Sequence, residues 1–116
     1  MKLRQKELKS GTGGVVIIEI EGNIIGGPDA MSLNDEIHKM VNAGTKKIII
    51  DMKSVEHINS SGLGILSASL NAVRQADGNL KIANASSRVL DLLKITKLNQ
   101  IFEPYKSVDE AVKDLA

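Results

Sequence analysis

The stretch KKIIIDM, Lys46 to Met52, sets three isoleucines in an unbroken row. Neighbouring side chains on a strand point to opposite faces, so a β-branched triplet of this kind needs apolar cover on both sides. It is typical of a central strand in a buried sheet. A chain of 116 residues can bury one such core and has no room for a separate substrate domain, so residues 1–116 read as one domain.

The flanking sequence supplies partners for that strand. Residues 3–9 predict an edge strand, Gly11–Gly14 (GTGG) a turn, and Val15–Gly22 (VVIIEIEG) a second strand, together an N-terminal hairpin. Pro28 suits the first turn of a helix whose Ala30, Leu33, Ile37, Met40 and Val41 share one face until Gly44 stops it. A second helix is expected from about Ser61 to Ala76, with Leu63, Leu66, Leu70 and Val73 toward the sheet and Ser67, Asn71 and Arg74 outward. Asn79–Asn84 (NLKIAN) alternates Leu80 and Ile82 against Lys81, as a strand with one covered face would. Ser86 or Ser87 can cap a short helix carrying Val89, Leu92 and Leu93, and Gln100–Glu103 (QIFE) fits a last strand. Ser107 and Glu110 form a capping box ahead of Val108, Ala111, Val112 and Leu115. The order ββαβαβαβα predicts an α/β fold, a mixed open sheet of about five strands with four helices mainly on one face.

Composition removes several functions. With 15 basic against 14 acidic residues, no long-range field points to nucleic acid or an anionic membrane. Phe102 and Tyr105 are the sole aromatics, too few for a base-stacking platform. There is no cysteine, hence no disulfide, thiol chemistry or cysteine-bound zinc. The basic start MKLRQKELKS lacks the apolar segment of a signal peptide, and no apolar run approaches the roughly 20 residues of a membrane span. These features predict a soluble, cytoplasmic chain.

Two loops at the carboxyl ends of parallel strands carry the chemistry-bearing residues: GNIIGGPD (Gly22–Asp29) and KSVEHINSSGLG (Lys53–Gly64). Both are expected to open at the same sheet edge and to make one site. A phosphate-binding P-loop requires a lysine that neither loop supplies in position. A hydrolase elbow reads G-x-S-x-G, whereas Ile58 and Asn59 stand two residues before Ser60 and Ser61. His57 would have to serve as base from the same short loop, an awkward geometry, and is read as a solvent-facing loop residue. No histidine–carboxylate spacing around His57 suits a metal. The serines need no explanation beyond helix capping, worth about 1 kcal/mol. Gly62 and Gly64 are less easily dismissed, because glycine in a helix costs about 1 kcal/mol relative to alanine. They make a tip whose backbone a partner can approach closely.

The segment IIIDMKSVEHINSSGLGILSASL (Ile48–Leu70), set in this order of elements, resembles the STAS domain of bacterial anti-sigma factor antagonists. The resemblance spans nearly the whole chain and rests on Gly22, the D-x-x-x-V pattern at Asp51 and Val55, the S-S-G-L-G tip and DGNLKIAN. It implies that Ser60 is phosphorylated by a partner that is both serine kinase and anti-sigma factor, of the histidine-kinase-like ATPase fold. It further implies reversal by a PP2C-like phosphatase, with no catalysis by this chain and no cofactor of its own. The implied docking surface takes in Asn23, Gly26, Gly27, Asp29, His57, Asn59, Ser61, Gly62, Leu63 and Gly64. Where family members usually carry Asp before the modified serine, this chain has Asn59, which hydrogen-bonds without charge. The fold also resembles accessory STAS domains of transport systems and signalling scaffolds, which dock a partner without a phosphorylation cycle. Closure of the glycine loops on a small anion and a minimal serine hydrolase are the remaining readings.

Overall fold

The computed structural model describes residues 2–10, 13–25, 27–102 and 104–115. Strands β1 (Lys2–Ser10), β2 (Gly13–Glu21), β3 (Lys47–Ser54) and β4 (Asn79–Ala83) form one sheet in sequence order. The β1–β2 hairpin is antiparallel, and β2–β3 and β3–β4 are parallel. Helices α1 (Pro28–Asn42), α2 (Ser60–Gln75), α3 (Ser87–Ile95), α4 (Asn99–Phe102) and α5 (Val108–Leu115) complete the order.

Register explains the isoleucine triplet. Ile48 and Ile50 align with Val16 and Ile18 on one side and with Leu80 and Ile82 on the other. This layer packs against Leu33 and Ile37 of α1, Leu63, Leu66, Leu70 and Val73 of α2, Val89 and Leu93 of α3, and Phe102 of α4. Ile49 points the opposite way, into a smaller cluster with Val15, Ile17, Ala83 and Ala111 of α5. All three isoleucines are 0% exposed, so cover on both faces is met, though unequally. Among the described residues, α1 to α4 lie on one face and α5 covers part of the other.

Predicted and observed elements agree for the hairpin, for α1 with Pro28 in its first turn, and for the buried face of α2. Gly44, at φ +92°, closes α1 in a conformation that L side chains rarely adopt. The Gly11–Gly14 turn falls partly on Gly11 and Thr12, outside the described residues, as do the side chains of Asp29 and Ala30.

Two expectations are corrected. Described residues of QIFE are helical rather than a fifth strand. Lys97 adopts φ +62° after α3, Leu98 N–H donates to Leu93 O at 2.8 Å, and the chain then coils so that Phe102 is 0% exposed in the main core. The place beside β4 is taken by Tyr105, which makes a single parallel bridge to Ala83. Lys81 is not on an open face: it is 3% exposed beneath α5. Its aliphatic stem suits that cover, while its ammonium lies 3.8 Å from Asp114 and 5.7 Å from the centre of the Tyr105 ring. Tyr105 Oη in turn donates to Asp114.

Candidate functional site

The two glycine-bearing loops do meet. Ile24 N–H donates to His57 O at 3.0 Å, Asn59 N–H donates to Ile24 O at 3.2 Å, and Ile24 and Ile58 form a parallel bridge. Asn23 Oδ1 accepts the His57 N–H at 3.1 Å. The sheet is thus extended past its last regular pair, and the β2–α1 connection is stitched to the β3–α2 connection. Ile24 is 0% exposed and anchors the junction. Sequence reading passed over it because an isoleucine in a loop carries no chemical signal.

The start of α2 differs from expectation. Asn59, not a serine, is the N-cap: its backbone is extended and its Oδ1 accepts the Gly62 N–H at 2.8 Å. Ser60 and Ser61 are the first two helical residues, both exposed. Neither hydroxyl makes a hydrogen bond among the described residues. Neither serine therefore caps the helix as expected; Asn59 already does so.

The two glycines also separate. Gly62 is buried, and a Cβ there would stand 2.9 Å from the Ile24 carbonyl carbon and closer still to its oxygen. Gly62 is needed inside the fold, to let α2 close on the neighbouring loop. Gly64 is exposed, with nothing within 4 Å of the corresponding Cβ position. Leu63 is 3% exposed and belongs to the core, so its side chain is not offered to a partner. Asn23, Gly27, His57, Asn59, Ser60, Ser61 and Gly64 are exposed around the junction. Gly26 lies outside the described residues. Two apolar side chains that the sequence reading left out stand on the same loop and helix, Ile25 at 50% and Met31 at 49% exposure.

His57 is exposed, and its ring nitrogens lie 3.0 and 3.1 Å from Arg88 Nη1 on α3. Asp51 is also structural here. Its Oδ1 accepts from Lys53 N–H at 3.0 Å and Asn84 Nδ2 at 3.1 Å, holding the β4–α3 turn where Asn84 adopts φ +59°. Val55, the other end of that pattern, is 1% exposed. Among the described residues, the carboxyl group clearly displaced from its ordinary range is that of Glu19 on β2, held low by the hydrogen bond from Lys6.

A family model for the STAS domain matches residues 8–111. The chain belongs to the STAS domain family. Among its relatives, a Thermotoga neapolitana protein named as an anti-sigma factor antagonist is 30% identical over 77 residues, 66% of this chain and 68% of that protein. The anti-sigma-B factor antagonist of Staphylococcus aureus is 32% identical over 69 residues, 60% of this chain and 64% of its own length. The fold is shared with a Thermotoga maritima protein assigned as an anti-sigma factor antagonist, TM-score 0.83 at 21% identity over 96% of this STAS domain chain and 93% of that one. It is shared also with phosphorylated SpoIIAA of Bacillus, TM-score 0.74 at 14% identity over 99% and 100% of the two chains. No helix among the described residues is long and apolar enough to cross a membrane.

Proposed function

We propose that this STAS domain is an anti-sigma factor antagonist, a binding module switched by phosphorylation of Ser60. The observation that carries the reading is the division of labour at the start of α2. Asn59 caps the helix, so the Ser60 hydroxyl stands exposed and unused beside the Asn23–Ile25 connection. In the unmodified state the tip, that connection and the exposed part of α2 dock a serine-kinase anti-sigma factor of the histidine-kinase-like ATPase fold. Capture of the kinase frees a sigma factor in the cytoplasm. Gly64 gives the partner direct access to the helix backbone, and Ile25 on the β2–α1 connection and Met31 in α1 supply exposed apolar surface.

Phosphorylation adds about −1.5 to −2 charges at pH 7. At the first helical position the unpaired N–H groups and the helix dipole favour an anion, so the domain stays folded while its docking surface becomes repulsive and bulky. A PP2C-like phosphatase restores it. The chain catalyses nothing; ATP and metal belong to the kinase.

Incubation with the cognate kinase and ATP is expected to add one phosphate to the wild type and to Ser61→Ala, and none to Ser60→Ala. Ser60→Asp weakens kinase binding with a nearly unchanged thermal midpoint, because an anion there is favoured by about 0.3–1 kcal/mol. A Ser60→Asp chain that binds as well as wild type ends the switch reading and leaves a docking module without a phosphorylation cycle.

A further inference from the structure

The α3 helix adds a second surface beside the tip. His57, Ile58, Arg88, Asp91, Leu92 and Ile95 line an open groove of about 340 Å³ between the β3–α2 connection and α3. Ile58 and Leu92 form an apolar floor continuous with the main core. Ile95, the last residue of α3, lines it at 79% exposure, the most exposed of the large apolar side chains among the described residues. A single exposed isoleucine needs no explanation, but one that prolongs an apolar floor into solvent leaves a contiguous strip to be covered. Arg88 is exposed at the other end, and its contacts among the described residues are those with the His57 ring, no carboxylate among them.

We infer that this groove is part of the docking surface for the same anti-sigma partner and takes a segment with an apolar side chain and a carboxylate. The inference rests on the functional reading above. The apolar group covers Ile58, Leu92 and Ile95, and the carboxylate pairs with the Arg88 guanidinium, whose planar fork suits two parallel hydrogen bonds. Asp91 sits on the same rim one helical turn from Arg88 and repels a carboxylate placed elsewhere, which confines it to the Arg88–His57 end. The partner is the one that docks at the tip because His57 and Ile58 belong to both surfaces. They line the groove and are stitched through Asn23 and Ile24 to the loop beside Ser60. An exposed arginine next to an apolar pocket has the composition of an interface anchor.

The test measures binding of the purified kinase anti-sigma factor to the full chain by calorimetry at several salt concentrations. Arg88→Ala and Ile95→Ser are each expected to raise Kd about tenfold, since anchor residues cost at least this much when truncated. Arg88→Ala should also flatten the salt dependence, and Arg88→Lys should recover part of the affinity. Thermal midpoints should stay close to wild type because both side chains are exposed. If both variants bind as wild type while Ser60→Asp still weakens binding, the groove inference is overturned and the switch stands. An unchanged salt dependence in a weakened Arg88→Ala overturns the acidic occupant. A change in sedimentation of the chain alone on Ile95→Ser shows that a second copy fills the groove, and also overturns it. A kinase that fails to bind the wild type overturns both readings.

Discussion

Alanine at Gly62 and at Gly64 should move stability in opposite directions. The two positions lie two residues apart on one helix, so helix propensity alone predicts the same gain at each, about 1 kcal/mol. Their surroundings differ. At Gly62 the new methyl meets the Ile24 carbonyl within van der Waals contact, and that carbonyl is not free to retreat: it accepts the Asn59 N–H, while Ile24 N–H is tied to His57 O. Overpacking of this kind costs about 1–3 kcal/mol, and loss of one stitching hydrogen bond adds about 1 kcal/mol. After the propensity gain, Gly62→Ala is expected to destabilise by roughly 1–3 kcal/mol. Gly64→Ala meets nothing and should stabilise by about 0.5–1 kcal/mol. Urea denaturation followed by circular dichroism, with equal slopes required for all three proteins, reads both values. At this chain length each kcal/mol corresponds to roughly 4 °C in the thermal midpoint. Kinase binding should fall for Gly64→Ala although the chain is more stable, because the methyl stands where the partner approaches the helix. A Gly62→Ala chain as stable as wild type would refute the reasoning from close approach.

Three further outcomes test separate parts of the account. Leu66 is 0% exposed under the sheet, so Leu66→Ala should cost about 2–5 kcal/mol in the same denaturation experiment; a loss below about 0.5 kcal/mol would reject the phase of α2. Asn59→Ala should cost about 1 kcal/mol through the lost cap, whereas Asn59→Asp keeps it and should match or slightly exceed wild-type stability. Lys6 lies 2.7 Å from Glu19 and holds its carboxyl below the ordinary value of 4.5, so this pair contributes stability that is present above that value and lost as pH falls through the lowered one. NMR titration should find Glu19 low in the wild type and returned toward 4.5 in Lys6→Ala; equal titration in both proteins would remove the pair from the acid limb.

Repeating patterns were legible in the sequence. The isoleucine triplet, the β-branched second strand and the Leu63–Leu66–Leu70–Val73 period each report local geometry through side-chain spacing, and each reappears at its expected place. The junction of the two loops was legible too, since parallel strands bring their carboxyl ends to one edge. What the tertiary structure decided depends on which group arrives first at a shared partner. Asn59 and both serines are all competent caps, and the extended backbone at Asn59 selects it. Gly62 and Gly64 read alike, and only the position of Ile24 O separates them. Lys81 looked like a solvent-facing residue of a half-covered strand until α5 folded over it, and the short Gln100–Glu103 segment fitted a strand until Phe102 found the core from a helical turn. Arg88 is far from His57 in sequence and carries no motif, so its place beside the tip follows from the packing of α3 alone. Local spacing specifies elements; contacts between residues distant in the chain assign the roles at their ends.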